Sequence, residues 1–367
     1  MHDWLNQQGG AERVLLQLHR TFPRAPVYTA FYEPTLVDPA FRTLDVRTTW
    51  LQRLPGWRTH HQAYMPVYPL AFATSRVRDA DVVVSNASAF CKGIRIPRGA
   101  VHVCYCLTPP RFVWSTRAYL ARESYPAWLP LALHPLMPLL QRWDRASAGR
   151  VTHFVAISRA VAARIRRFYG RDATVIYPPV ATERFRPGGA PEDFLLVVSR
   201  LVPYKRIDLA VRACSQLGLP LRVVGDGRDA ANLRRLAGPA VTFLGSLSDD
   251  RVSDLMARCR AFIFPGEEDF GIAPVEAQAA GRPVIAYAAG GALDTVVDGE
   301  TGLLFHEPTV ESLAGALRRL DTTRFHADHL VAAAARFSAS LFRERLSRFV
   351  ATAWETRLAG AQARVSS

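Results

Sequence analysis

Short apolar runs alternate with amphipathic periods through the second half of the chain. Runs at Phe194–Ser199, Leu221–Val224, Val241–Leu244, Ala261–Phe264 and Pro283–Ala286 predict strands. Between and after them, helical spacing predicts helices near Ile207–Leu217, Ala230–Leu236, Asp250–Arg258, Pro274–Ala280 and Val310–Leu320. The strand runs are rich in Val, Ile, Leu and Phe and lack polar alternation, which is the pattern of parallel strands covered on both faces. The first half is less regular. A helix is expected from about Ala11 to His19, with Val14, Leu15 and Leu18 on one side. Strands are expected near Val27–Phe31, Asp81–Ser85, Val101–Cys106, Thr152–Ile157 and Thr174–Ile176, the fourth entering a helix capped by Ser158.

One position breaks the rhythm. A doubly wound domain opens with a strand before its first loop, yet only His2-Asp3-Trp4-Leu5 stands ahead of Gly9-Gly10. The expectation is a first strand that is truncated, and so either supplied differently or begun upstream of Met1. Ala181–Asp193, with Pro187-Gly188-Gly189-Ala190-Pro191, reads as a linker. The expected organisation is α/β: a Rossmann-like domain over 1–180, the linker over 181–193, a second Rossmann-like domain over 194–339, and residues 340–367 as a helix packing back on the first domain. Two such sheets facing across a cleft suit 367 residues, too many for one ordinary core.

Charge sharpens the contrast between the halves. Residues 1–190 hold 25 Arg/Lys against 11 Asp/Glu, whereas residues 191–367 hold 21 against 21. The whole excess of +14 therefore lies in the first half. Such a surface attracts an anionic membrane, a diphosphate-bearing acceptor or nucleic acid. Nucleic acid is set aside, because no helix-turn-helix, zinc-finger or RNA-reading aromatic motif accompanies the charge. Ser124–Trp143 is apolar but broken by Pro126, Pro130, Pro135 and Pro138, so a spanning helix is not expected. Flanked by Arg117, Arg122, Arg142 and Arg145, it suits a bilayer interface, and equally an interdomain lid or an internal helical pair. The five cysteines form no CxxC pair, and Cys104 and Cys106 read as packed thiols on one strand rather than a metal site. No carboxylate or histidine cluster has metal-ligand spacing.

The chemistry-bearing motifs follow the ends of the expected strands. Val198–Arg206 carries Arg200 and Lys205, a planar fork and a compact charge that could meet at a diphosphate or be ordinary surface bases. Val224-Gly225-Asp226-Gly227 allows close backbone approach, although one GxG is a weak signal and Asp226 does not match a dinucleotide fingerprint. Gly290-Gly291-Ala292 and Asp298–Phe305 read as further turns in the same neighbourhood. The most informative stretch is Phe264–Gly281, in which Glu268 and Glu276 stand eight apart around Gly271 and Pro274. Spacing alone makes it either an acidic turn before an amphipathic helix or a pair of ligand-gripping carboxylates, one at a loop mouth and one inside the helix.

That string resembles the E-x7-E motif of the retaining nucleotide-sugar glycosyltransferases of family 4, which have the GT-B fold. Gly9-Gly10-Ala11-Glu12-Arg13 and the stretch from Tyr105 to Trp114 resemble the same family in the first half. Within it, the chain looks most like bacterial mannosyltransferases of surface-polysaccharide assembly. The resemblance implies that Arg200 and Lys205 hold the donor diphosphate, that Glu268 faces the transferred sugar, and that Glu276 binds the ribose. It also implies that Phe270, Gly271 and Ile272 lie near sugar and phosphates, and that Gly9 and Gly10 form a loop beneath the reaction centre. Gly225 is expected on the donor side and Arg111 on the acceptor side. Arg200, Lys205 and Glu268 are the expected catalytic groups, with no metal and no cofactor required.

The resemblance departs at Leu107, where relatives usually carry a sugar-contacting histidine. Leucine can neither donate a hydrogen bond nor carry charge, and His102, five residues earlier on an apolar strand, is expected in the core or at an edge. The reading is a hexosyltransferase that moves mannose from GDP-mannose to a hydroxyl of a lipid-linked glycan. It is expected in the cytoplasm, peripheral on the inner face of the plasma membrane. The alternative from a different class is a catalytically weakened nucleotide-sugar-binding or assembly protein of a polysaccharide complex. A two-domain sugar-phosphate isomerase is a third possibility with the same fold.

Overall fold

A computed structural model of the chain describes residues 1–116 and 135–365. These form two compact units, one of residues 1–116, 135–179 and 340–365, the other of residues 180–339.

The first unit contains α1 (Gly10–Thr21), β1 (Val27–Thr29), β2 (Val46–Thr48), α2 (Tyr68–Thr74), β3 (Val82–Ala87) and β4 (Val101–Cys106). It continues with α3 (Arg111–Trp114), α4 (Leu136–Gly149), β5 (His153–Ala156), α5 (Arg159–Tyr169) and β6 (Ala173–Val175). Strands β3-β4-β5-β6 pair in parallel, and β1 and β2 pair with each other. Residues 1–5 run between the two sheets. His2 bridges Asn86 in β3, and Leu5 bridges Tyr32 just beyond β1. These two isolated bridges stand where a first strand was expected. The stretch is fastened by Asp3, whose buried carboxylate accepts from the backbone N–H groups of Ser88, Ala89, Phe90 and Cys91 at 2.7–2.9 Å and from the Ser88 hydroxyl at 3.1 Å. Helix α5 starts as expected, with Ser158 Oγ accepting from Val161 N, and stops at Gly170 in the left-handed conformation.

The proline-broken reading of Ser124–Trp143 needs correction in its second part. Residues 136–143 belong to a continuous helix, α4, with Pro135 at its cap and Pro138 in its first turn, where a missing N–H costs nothing. Met137 and Leu140 are buried and Leu139 is exposed. The rest of that segment, with Arg117 and Arg122, lies outside the described residues. Among the described residues no helix is long and apolar enough to cross a membrane.

The second unit holds β7 (Leu195–Val198), α6 (Ile207–Leu217), β8 (Leu221–Val224), α7 (Ala230–Leu236), β9 (Val241–Gly245) and α8 (Asp249–Arg258). After them come β10 (Ala261–Phe264), α9 (Ile272–Ala279), β11 (Val284–Tyr287), α10 (Ala292–Thr295), β12 (Gly302–Phe305), α11 (Val310–Leu320) and α12 (Ala327–Ala335). Its parallel sheet runs β12-β11-β10-β7-β8-β9, the doubly wound order in which the direction of winding reverses between β7 and β10. Leu195, Val197, Val223, Ile263 and Ile285 of the sheet pack with Leu209, Leu313 and Leu317 of the helices in one core. Residues 188–193, expected in a linker, are held on this unit: Arg282 donates to the Gly189 carbonyl, and Glu192 pairs with Arg258. Strand β12 occupies part of the stretch read as a turn. Gly302 pairs with Val284, whose carbonyl oxygen would lie 2.0 Å from any added Cβ.

The last helix, α13 (Ala339–Val365), rests on the first unit through Phe342 against Tyr105 and Arg343 donating to Gln17 Oε1 at 2.6 Å.

Candidate functional site

In an open parallel sheet, ligands bind beyond the carboxyl ends of the strands where the winding reverses. Here that point lies between β7 and β10, which pair directly through Ala261 with Leu195 and Phe262 with Leu196. The loop after β7 carries Arg200 and Lys205, and the loop after β10 carries Glu268. The Lys205 ammonium and the Glu268 carboxylate form an ion pair there, with side chains 15% and 22% exposed. The two loops touch along their backbones as well, since a Cβ on Gly266 would lie 2.7 Å from the Lys205 carbonyl oxygen. Arg200 is exposed beside them, its guanidinium 3.4 Å from the Tyr204 hydroxyl, and Lys205 Nζ lies 5.4 Å from the centre of the Tyr204 ring. Tyr204 and Gly266 were not singled out in the sequence; their only signal was adjacency to the charged motifs.

The glycines shape this place by backbone contact. A Cβ on Gly225, whose φ is +124°, would stand 1.9 Å from the Ser199 carbonyl oxygen. On Gly227 it would stand 2.3 Å from that of Leu201. The GxG turn therefore seats the loop of Arg200, which is reason enough for both glycines. Gly290 and Gly291 do the same for the loop of Glu268. The N–H of Gly291 donates to the Glu268 carbonyl at 2.8 Å, and an added Cβ would meet the Phe270 backbone at 2.2 Å. Gly271 caps α9 with φ +87°, and its missing side chain leaves room for the Phe264 ring. Phe270 is buried, Ile272 opens α9, and Glu276 lies one turn further along the same helix, half-buried. Thus Arg200, Lys205, Gly225, Glu268, Phe270, Gly271, Ile272 and Glu276 all fall at the carboxyl end of this sheet or on the helix that leaves it.

Gly9, Gly10 and Arg111 belong to the first unit. Gly9 caps α1 in extended conformation and Gly10 is the first residue of that helix. Beneath them lies a buried polar cluster the sequence did not reveal. Glu12 Oε1 is 3.5 Å from His2 Nε2, and Asn86 Nδ2 is 3.2 Å from His2 Nδ1 and donates to the Ala11 carbonyl at 2.8 Å. Arg111 opens α3, whose Trp114 donates to Asp144 at 2.7 Å. Asp144 is wholly buried and also accepts from the Tyr169 hydroxyl and from the Lys92 ammonium.

Leu107 is half-buried directly after β4, its N–H donating to the Ala87 carbonyl. His102 is a core residue of β4 bonded to the Ser85 hydroxyl at 2.9 Å, and burial pushes its pKa down to about 3. All five cysteines are buried thiols. Among the described residues no group of three or more His, Cys, Asp or Glu side chains is placed to hold a metal ion.

Two family models tile the chain. "Glycosyltransferase Family 4" matches residues 8–184 and "Glycosyl transferases group 1" matches residues 181–337. The chain belongs to the family 4 glycosyltransferases, and its fold is GT-B. It is 32% identical to the D-inositol 3-phosphate glycosyltransferase of Rhodococcus erythropolis over 214 residues, 50% of this chain and 48% of that protein. It is 34% identical to the GDP-mannose-dependent alpha-(1-6)-phosphatidylinositol monomannoside mannosyltransferase of Mycobacterium tuberculosis over 196 residues, 45% of this chain and 51% of that one. The chain thus spans about half the length of the curated relatives it matches. Among solved structures, Anabaena Alr3699/HepE in complex with UDP superposes with a TM-score of 0.69 at 20% identity, covering 96% of this chain and 99% of that one.

Proposed function

We propose that this protein is a retaining hexosyltransferase that takes mannose from GDP-mannose and passes it to a hydroxyl of a lipid-linked glycan. The observation that carries the reading is the Lys205–Glu268 pair at the winding reversal of the second unit, with Arg200 exposed beside it. An ammonium and a guanidinium at one strand end suit a diphosphate, which would draw Lys205 from Glu268 toward the phosphate oxygens. Glu268, released, would accept from sugar hydroxyls and bear part of the positive charge that develops at the anomeric carbon. In the transfer, the bond from that carbon to the diphosphate oxygen breaks, with its electron pair staying on the phosphate. A new bond forms to the acceptor oxygen on the same face, and the acceptor's proton goes to the departing phosphate. Arg200 and Lys205 stabilise the charge on the leaving group, an effect worth about 3 kcal/mol for one well-placed donor. Glu276 would hold the ribose, and Gly9, Gly10 and Arg111 would serve the acceptor. The mannose and lipid-linked assignments draw support from the GDP-mannose-dependent mycobacterial relative. A membrane-peripheral setting draws support from the excess of positive charge in residues 1–190.

The test is nucleotide release by purified protein from GDP-mannose, UDP-glucose and UDP-N-acetylglucosamine, with and without a lipid extract. Extract-dependent GDP release, lowered about 100-fold in Lys205→Ala and Glu268→Ala, is expected. Tight nucleotide-sugar binding with no release under any condition would sink the enzyme reading in favour of a binding protein in which Leu107 has removed a sugar contact.

A further inference from the structure

The loop that carries Lys205 ends on a strained residue to which the proposed reaction gives no part. Pro203–Lys205 is one turn of 3-10 helix, and α6 starts almost directly after it, at Ile207. Between them stands Arg206 at φ +53° and ψ +35°, in the left-handed region. Among the described residues, Arg206 and Asp79 are the non-glycine residues with positive φ. Aspartate enters that region readily, whereas arginine is strained there unless its surroundings hold it.

The surroundings of Arg206 hold both its main chain and its side chain. Arg206 N donates to Pro203 O at 3.1 Å, and Leu209 N donates to Arg206 O at 3.1 Å. The guanidinium grips Asp208 twice, Nε to Oδ1 at 3.0 Å and Nη2 to Oδ2 at 3.2 Å. Nη2 also donates to Pro308 O, at 3.4 Å, in the loop after β12. With right-handed angles at Arg206, the 3-10 turn and α6 would run together as one helix from Pro203 to Leu217. That change turns φ by roughly 115°, so the chain ahead of Arg206 would swing, Lys205 first. As it stands, the Lys205 carbonyl oxygen packs on Gly266 and the Lys205 ammonium meets Glu268.

We propose that Arg206 is a positioning residue: clamped to Asp208 and Pro308, its left-handed backbone aims Lys205 at Glu268 and at the diphosphate of a nucleotide sugar. The diphosphate part rests on the function proposed above, and the aim at Glu268 does not. What serves Lys205 is the backbone angle of Arg206 and not its charge, which is taken up by Asp208.

The test uses the lysine amines, of which the chain has two, Lys92 and Lys205. Lys92 is 2% exposed in its pair with Asp144, and Lys205 is 15% exposed in its pair with Glu268. Labelling with acetic anhydride, read by peptide mass, therefore follows Lys205, while Lys92 stays unlabelled as long as the chain is folded. Arg206→Ala keeps the strained Cβ and loses the clamp, Asp208→Ala keeps Arg206 and loses its partner, and Arg206→Gly loses strain and clamp together. In Arg206→Ala and Asp208→Ala, Lys205 is expected to label about fivefold faster than in the parent protein. The Kd for GDP or UDP is expected to rise about tenfold in the same two variants. Arg206→Gly is expected to stay within about twofold of the parent in both measurements, because glycine adopts this φ without strain.

Equal labelling of Lys205 in all four proteins overturns the proposal. So does Arg206→Gly matching Arg206→Ala, which would assign the effect to the side-chain charge. Where Lys92 labelling shows Arg206→Ala to be unfolded, the comparison of Asp208→Ala with Arg206→Gly decides. A parent protein that binds neither nucleotide would refute the transferase reading, and the labelling would still decide what aims Lys205.

Discussion

Gly225 has two separate reasons to be glycine: a φ of +124°, and a carbonyl oxygen 1.9 Å from where a Cβ would sit. Gly225→Ala must therefore push the Arg200 loop away from the sheet. It is expected to cost about 2 kcal/mol or more in stability and to raise the donor KM, read by denaturant melts and donor titration. His102 supplies a pH dependence at the same scale. Its folded pKa, about 3, is below that of an ordinary histidine, about 6.5, so between those values the unfolded chain binds a proton the folded one refuses. Stability from this residue is complete above about pH 6.5 and is lost as pH falls toward 3, at up to about 1.4 kcal/mol per pH unit. In His102→Gln, which can still bond Ser85, the melting temperature should fall less steeply between pH 6.5 and 4.5. A slope equal to that of the parent protein would contradict this account.

Among the elements, α3, α4 and α5 meet at one buried carboxylate. Asp144 takes Lys92, Trp114 and Tyr169 as donors, and the side chains of the charged pair are 2% and 0% exposed. Removing one member strands a buried charge, so Asp144→Ala should lose about 3–5 kcal/mol. The double variant Lys92→Met with Asp144→Leu should recover only part of this, because Trp114 Nε1 and the Tyr169 hydroxyl still lack an acceptor. Thermal melts of the single and double variants check both statements. None of this network was legible in the sequence, where Lys92 and Asp144 stand 52 residues apart and neither was singled out. Strands β7 to β11 of the second unit were legible as apolar runs, most plainly β10, where all four residues are buried. Strand β2 was not: Val46-Arg47-Thr48 is short and largely exposed, so no burial pattern marks it. Strand β12 hid behind Gly302, a residue dictated by close approach to β11 rather than by strand preference. Arg200, Lys205 and Glu268 stood out in the sequence as charges following expected strands, a pattern that spacing alone shares with ordinary surface groups. Their pairing did not, because strand order is a property of the sheet and not of any local string.

For the whole molecule, charge divides by unit more sharply than by half. Residues 1–116, 135–179 and 340–365 hold 26 Arg/Lys and 11 Asp/Glu, a net +15, and residues 180–339 hold 18 and 20, a net −2. Helix α13 contributes to this, since it returns five arginines against two glutamates to the basic unit. Association with vesicles is therefore expected to require anionic lipid and to weaken at least tenfold between 50 and 300 mM salt. Flotation with neutral and anionic vesicles would measure it. Binding that ignores both lipid charge and salt would place the attraction in apolar contacts instead.

The glycine contacts bear on how the donor preference of such a protein could be altered. The 199–205 loop rests on Gly225 and Gly227, and the 266–271 loop rests on Gly290 and Gly291, backbone against backbone. Grafting one member of either pair from a relative would leave it on a seat cut for a different chain path. Loop-exchange chimeras should therefore fold only when each loop travels with its seat, so these loops are inherited in paired segments rather than as single residues.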